Sequence, residues 1–157
     1  MSDCYIAYLD LLDTLREKLQ VLSELASKKA AAVRGDDLTA LDDIMRKEQA
    51  LSLTFRGLEQ KKAVLSKELG FDAVPLSSLA NHYPESLQLQ ARQTVLALQD
   101  QFRLYRAAAE VARNTLECNL HEIEKFLASQ EAVPSAGPGY EPPPVEPPHA
   151  MKSDFRA

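Results

Sequence analysis

The segment Arg34-Gly35-Asp36-Asp37-Leu38 lies between two long stretches that both carry a helical pattern. Gly35 can adopt the left-handed conformation that ends an α-helix, and the carboxylate of Asp36 or Asp37 can cap the helix that follows. A turn this short makes the two flanking helices pack against each other in antiparallel orientation. The chain is therefore predicted to be built on a long helical hairpin.

The first helical stretch runs from Tyr5 to Val33 without a Gly or a Pro. Its apolar residues are separated by alternating steps of three and four, which is the heptad pattern of a helix that packs along one seam. Further apolar residues lie beside this seam, so the helix is expected to contact more than one neighbour. The seam residues are Tyr5, Tyr8, Leu12, Leu15, Leu19, Leu22 and Ala26, and those beside it are Leu9, Leu11, Val21 and Leu25.

The second helical stretch runs from about Leu38 to Leu69, and the charged residues Glu48 and Lys62 interrupt its apolar side. Oppositely charged residues at four-residue spacing predict a solvated outer face. The pairs are Asp42 with Arg46 and Asp43 with Lys47. The apolar side is formed by Leu41, Ile44, Met45, Leu51, Phe55, Leu58, Leu65 and Leu69.

A stop at Gly70 to Pro75 separates this hairpin from the rest of the chain. Leu76 to Tyr83 is predicted to form a short connecting helix opened by Ser77 or Ser78. A third helix is predicted from Glu85 to Ser129; at ~1.5 Å per residue it is about 65 Å long, so part of it should extend past the hairpin. Its seam is Leu87, Ala91, Val95, Leu98, Phe102, Tyr105, Ala109, Ala112, Leu116, Leu120, Ile123 and Leu127.

Composition agrees with an all-α fold. Hydrophobic residues make up 45% of the chain but aromatic residues only 6%, so the apolar content is mostly Leu and Ala, which favour helix. Seven of the nine prolines lie between Pro134 and Pro148. We therefore predict a helical bundle domain at 1–131 and a disordered Pro-rich tail at 132–157, which acts as a spacer or as a polyproline ligand.

The charge and the cysteines limit the possible partners and the location. The net charge is −5, and the 18 basic residues are interspersed with 23 acidic ones, which does not favour nucleic acid. No apolar run is long enough to span a membrane, and the N-terminus lacks the pattern of an export signal, so a cytoplasmic location is expected. Cys4 and Cys118 have no partner spacing and are expected to be reduced thiols.

The sequence predicts neither an enzyme nor a cofactor site. It contains no Gly-rich phosphate loop, no nucleophile motif, no Cys-x-x-Cys and no Glu-x-x-His. Glu117, His121 and Glu124 share one helical face, and a surface salt-bridge cluster is favoured there over a metal site because no second helix offers matching ligands. The tripeptide Arg34-Gly35-Asp36 also occurs in cell-adhesion ligands. We interpret it here as part of the turn between the first two helices.

The seams contain more apolar residues than three helices need to cover one another, especially at the free end of the third helix. An exposed apolar groove of this kind is typically a docking surface, and its natural guest is an amphipathic helix with anchors at i, i+3, i+4 and i+7. The alternative is homodimerisation, in which the same seam pairs with its own copy.

The hairpin also resembles a known family. Gly35-Asp36-Asp37-Leu38-Thr39-Ala40-Leu41, then Glu48-Gln49-Ala50-Leu51 and Leu58-Glu59, are similar to the second-helix pattern of the FlgN flagellar export chaperones. The layout is similar too, with a long hairpin, a short connecting helix at Leu76-Ser77-Ser78-Leu79 and a long third helix. The resemblance covers about residues 5 to 130.

The resemblance implies a cytosolic chaperone of the hook-filament junction proteins. Such a chaperone binds the C-terminal amphipathic helices of these hook-associated proteins, prevents their premature assembly and brings them to the flagellar type III export gate. The Pro-rich tail departs from the family pattern. The partner-binding residues implied by the resemblance are Asn114, Leu116, Asn119, Leu120, Ile123, Phe126 and Leu127.

The alternative hypothesis is a homodimeric coiled-coil protein with a structural or adaptor role. The apolar seams of one copy would then pack against those of a second copy, and the Pro-rich tail would recruit a proline-binding domain.

Overall fold

The computed structural model describes residues 2–131, and these residues form an all-α fold. Helix α1 is Ser2–Arg34, α2 is Leu38–Leu69, a 3₁₀ helix covers Leu76–His82, and α3 is Glu85–Glu131. The predicted helical hairpin, short connecting helix and longer third helix are thus confirmed, and α2 has the predicted bounds. The proposed tail at 132–157 lies outside the described residues, so the domain boundary at residue 131 stays a prediction.

The turn between α1 and α2 differs from the prediction at one residue. Asp36, not Gly35, adopts the left-handed conformation, with φ of 51°. The backbone N–H of Asp37 donates to the carbonyl of Ala32 at 2.9 Å, and that of Asp36 donates to Val33 at 3.3 Å, which is the Schellman pattern of a helix C-terminus. The Asp37 carboxylate then caps α2 by accepting from the N–H of Ala40 at 3.0 Å. Only three residues therefore separate the end of α1 from the start of α2.

Helix α2 ends in the same way, at Gly70. This glycine has φ of 72°, and the N–H of Phe71 donates to the carbonyl of Ser66 at 2.8 Å. The 3₁₀ helix that follows starts after Pro75 without a side-chain cap, because the Ser78 hydroxyl donates to the Pro75 carbonyl instead of accepting from a backbone N–H. The predicted capping by Ser77 or Ser78 was therefore wrong.

Helix α1 packs against both other long helices. It lies antiparallel to α2, with the Ser66 hydroxyl donating to the Tyr8 hydroxyl at 3.2 Å and Lys29 paired with Glu48 at 3.1 Å. All seven predicted seam residues of α1 are buried or half-buried. Val21 on α1 and Met45 on α2 were predicted to be covered but are exposed. The buried residues of the main core are Tyr8, Leu9, Leu12, Leu19, Phe71, Leu79, Ala80, Tyr83, Ala91, Val95 and Leu98.

An aromatic cluster closes the end of the core where α3 begins. The rings of Tyr5 and Tyr83 have centroids 5.1 Å apart, and Phe71 lies 5.6 Å from both Tyr8 and Tyr83. The Tyr83 hydroxyl donates to the backbone carbonyl of Tyr5 at 3.3 Å. Edge-on and tilted contacts of this kind add stability beyond the area they bury. The start of α3 is therefore fixed to the start of α1.

The ion pairs predicted on the outer face of α2 are present. Arg46 pairs with Asp42 at 3.1 Å and Lys47 with Asp43 at 2.9 Å, all four side chains being well exposed. Exposed pairs at this spacing contribute only about 0.3–0.5 kcal/mol each.

The described chain divides after Ile123. Residues up to Ile123 form one compact unit, and α3 from Glu124 onward belongs to a second unit, which is described by itself. Among residues 2–131, none of the helices combines the length and the apolar character needed to cross a membrane.

Candidate protein-binding site

One face of α3 packs against α1 over the first part of the helix. Ala91, Val95, Leu98 and Ala112 are all less than a tenth exposed. At this face the amide of Gln101 donates to the Ser23 hydroxyl at 3.2 Å. The face is therefore part of the core up to Ala112.

Beyond Ala112 the same periodicity continues but the cover ends. Leu116 and Asn119 are half-buried, Leu120 is 58% exposed and Ile123 is 48% exposed. Steps of four and three place Leu116, Leu120 and Ile123 on one face of the helix. We call these three residues the apolar end face.

The register of α1 against α3 explains where the cover ends. Tyr83 contacts Tyr5 and Gln101 contacts Ser23, and both pairs are separated by 78 residues, so the two helices run parallel. The same offset places Arg34, the last residue of α1, level with Ala112. Leu120 and Ile123 then lie about 12 and 16 Å past the end of α1, at ~1.5 Å per residue.

The structure does not bring all the predicted partner-binding residues together. Asn114 is exposed two positions before Leu116, and two residues in a helix turn the side chain by about 200°, to the opposite side. In the second unit, Phe126 is 61% and Leu127 is 53% exposed, and the Ser129 hydroxyl donates to the Phe126 carbonyl at 2.7 Å. Only the apolar end face and Asn119 therefore form a local group in the first unit.

Sequence reasoning missed a groove between α2 and α3, in which Phe102 is exposed although it was predicted as a seam residue. The groove contains a cavity of about 660 Å³, with α1 as its floor. A signal for it was present, because Lys62 interrupts the apolar side of α2 and a charged residue there indicates contact with water. The cavity is lined on its apolar side by Leu15, Leu19, Phe55, Leu76, Leu98 and Phe102.

A second cavity, of about 440 Å³, lies further along the three helices and reaches Leu116. The ion pair between Lys29 of α1 and Glu48 of α2 lines it, with both side chains about one quarter exposed. This contact explains why a charge occurs on the apolar side of α2 at Glu48. The cavity thus adjoins the apolar end face and could accept side chains of a bound partner.

Titratable groups do not assemble into a metal site in the described part of the chain. Within residues 2–131, no group of three or more His, Cys, Asp or Glu side chains could hold a metal ion. Burial, with smaller contributions from Tyr8 and Tyr5, raises the pKa of Tyr83 well above that of a free tyrosine. Tyr83 lies in the aromatic cluster, where its hydroxyl donates to the backbone carbonyl of Tyr5.

No family model, curated protein or solved structure matches the chain. The similarity to the export chaperones therefore rests on the residues of α2 and on the helix layout alone.

Proposed function

We propose that this protein is a flagellar type III export chaperone that binds the C-terminal amphipathic helices of hook-filament junction proteins. It acts in the cytoplasm, prevents premature assembly of these hook-associated proteins and delivers them to the export apparatus. Two observations support the proposal: the resemblance of the α2 segment and layout to the FlgN chaperones, and the apolar end face of α3.

The observation that carries most weight is the exposure of Leu120 and Ile123. Both are large aliphatic side chains on the face that α1 covers earlier along α3. A helix laid on this face makes the same kind of contact that α1 makes with Val95 and Leu98. An amphipathic guest helix with anchors at i, i+3, i+4 and i+7 fits this role.

The expected affinity is moderate. Full burial of one aliphatic anchor contributes ~1.5–3 kcal/mol, so four anchors on a guest helix give roughly 6–12 kcal/mol before costs. Loss of translational freedom and ordering of the guest remove much of this, which leaves a dissociation constant on the order of micromolar.

The proposed mechanism requires no catalysis. The C-terminal segment of the cargo is unfolded before binding and loses conformational entropy when it forms a helix on the chaperone. This ordering cost keeps binding reversible, so that the cargo can be released at the export gate. While bound, its apolar face is covered and cannot pair with other subunits.

A double substitution tests the proposal. Leu120→Asp with Ile123→Asp places two charges on the apolar end face, and we expect binding of a hook-associated C-terminal peptide to weaken at least about 100-fold. Isothermal titration calorimetry measures this. Helicity and melting temperature should hardly change, because both positions are exposed.

The matched control is Leu53→Asp with Val64→Asp on α2, where the side chains are at least as exposed. This control should leave peptide binding unchanged. Equal loss of binding in both variants, or no binding of any such peptide to the unmodified protein, would reject the proposal.

The homodimeric adaptor remains the second candidate, since the apolar end face could instead pair with the same face of another copy. In that case Leu120→Asp with Ile123→Asp would convert a dimer to a monomer, and the unmodified dimer would not respond to the peptide. Analytical ultracentrifugation with and without peptide separates the two candidates.

A further inference from the structure

The side of α3 that faces away from α1 carries a row of exposed aliphatic residues. Between 52% and 68% of each side chain is accessible. We call this row the outer stripe; it consists of Leu89, Leu96, Leu104 and Val111. The steps of seven, eight and seven residues average about 3.67 residues per turn over six turns, close to the period of a straight helix, so the stripe follows one line along α3.

The outer stripe is symmetric about Asp100. Leu96 and Leu104 each lie four residues from this position, and Leu89 and Val111 each lie eleven residues from it. When two copies of a helix pack antiparallel about a two-fold axis, residues at equal distances on either side of the axis meet. In one register, Leu96 therefore meets Leu104 of the other copy, and Leu89 meets Val111.

Charge at the centre of the stripe fits the same arrangement. Asp100 and Arg103 form an ion pair within α3. A two-fold axis at Asp100 places the Asp100 side chains of the two copies opposite each other. Arg103 of each copy then lies about 4.5 Å along the helix axis from Asp100 of the other, three residues at ~1.5 Å each. Each Asp100 carboxylate is thus flanked by the Arg103 of its own helix and by that of the other copy. The two guanidinium groups offset the repulsion between the carboxylates, which is consistent with the antiparallel register.

Helix α2 also has exposed apolar residues, but they lack this symmetry. Leu38 and Val64 are symmetric about residue 51, whereas Met45 and Leu53 are symmetric about residue 49. An antiparallel pair that aligned the first two would misplace the others by four residues, about 6 Å. No single register of α2 with itself covers all four side chains.

We propose that a second copy of this chain packs on the outer stripe, with the two α3 helices antiparallel and Asp100 at the two-fold axis. The stripe is about 33 Å long and a helix is about 10 Å wide, so each copy contributes roughly 330 Å². The total is below the ~1,200 Å² of stable interfaces. The pairing is therefore reversible and depends on protein concentration.

This interface does not depend on the proposed function. The outer stripe lies on the opposite side of α3 from the apolar end face, so a dimer formed through it leaves Leu120 and Ile123 accessible. Leu120→Asp with Ile123→Asp should leave self-association unchanged, which distinguishes this dimer from one formed through the end face.

Cross-linking tests the geometry. In a background with Cys4→Ser and Cys118→Ser, Gln93→Cys and Ala107→Cys are made in separate proteins; both positions are exposed and lie seven residues on either side of Asp100. Mild oxidation of a mixture should give a disulfide-linked dimer containing one copy of each. Each protein alone should give little cross-linked product. A parallel pair would cross-link each variant with itself, and that result, or the absence of a mixed product, would overturn the proposal.

Sedimentation equilibrium tests the energetics on the full chain. Leu96→Glu with Leu104→Glu should raise the dimer dissociation constant at least tenfold, about 1.4 kcal/mol. The control Leu53→Glu on α2 should not change it. An unmodified protein that stays monomeric at the highest soluble concentration, or a dimer insensitive to the stripe substitutions, would refute the interface.

Discussion

Two parts of α3 carry the same apolar pattern on the same face but have different surroundings. Ala91, Val95 and Leu98 are buried against α1, whereas Leu120 and Ile123 are about half exposed. The difference arises because α1 ends level with Ala112, not because the residue types change. Heptad periodicity therefore identifies the face of a helix that can pack, and the register of its neighbours decides whether that face is core or docking surface.

The strongest test of this comparison is a matched pair of substitutions. Leu98→Ala removes a side chain that is 7% exposed and should lower the free energy of unfolding by about 2–5 kcal/mol. Leu120→Ala removes the same atoms from an exposed position and should change it by no more than about 0.5 kcal/mol. Urea denaturation followed by circular dichroism measures both. A cost at Leu120 equal to that at Leu98 would mean that the end face is core.

An intermediate effect is expected at Tyr83, which fixes the register of α3 against α1. Tyr83→Phe removes the hydrogen bond to the Tyr5 carbonyl and should cost about 1 kcal/mol at pH 8. The raised pKa of Tyr83 means that, above pH ~10, the unfolded chain loses this proton while the folded protein retains it. Stability should therefore fall as the pH rises above about 10.

Tyr83→Phe removes this titration, so its stability should fall less between pH 8 and pH 10.5 than that of the unmodified protein. The midpoints of urea denaturation at the two pH values measure this loss of stability for both proteins. An equally steep decline in both proteins would assign the alkaline sensitivity to other groups.

The smallest effect is expected at the turn that ends α1 and so sets where the cover of α3 stops. Asp36→Gly replaces a residue in the left-handed conformation and should raise the free energy of unfolding by about 0.5–1 kcal/mol. The control Gly35→Ala should be close to neutral, since a Cβ there makes only ordinary contacts, with the carbonyl oxygens of Ala31 at 3.4 Å and Ala32 at 4.0 Å. Thermal denaturation measures the stability of both variants. If Asp36→Gly were neutral and Gly35→Ala destabilising, the left-handed residue would be Gly35.

Much of the fold could be predicted from sequence because Gly, Pro and the heptad pattern act locally. The bounds of α2 and the seam of α1 follow from such signals. The left-handed residue was assigned to the wrong position because Gly35 and Asp36 can both adopt that conformation. In the structure, the carbonyls of Ala32 and Val33 accept hydrogen bonds from Asp37 and Asp36, which places the left-handed residue at Asp36.

The candidate site was harder to predict. Unequal helix lengths indicated that α3 extends past the hairpin, but the point at which it becomes exposed depends on the register fixed by the contacts of Tyr83 and Gln101. The aromatic cluster combines residues that are far apart in sequence, so no local sequence pattern predicts it. Its members are Tyr5, Tyr8, Phe71 and Tyr83. Met45 fits the apolar pattern but is exposed. Phe102 also fits it, and it is exposed because α2 and α3 leave a groove open between them.

The contact between α1 and α3 nearest the end face is made by small residues, namely Ala26, Ala30 and Ala112 with Ala108 beside them. Alanines bury little area, whereas the aromatic cluster at the other end buries several rings, so the cost of local opening falls along α3. Within the part of α3 that α1 covers, amide protons should exchange fastest where the alanines meet. Each such opening would expose Ala108 and Ala112, which would extend the surface available to an incoming helix by about two turns.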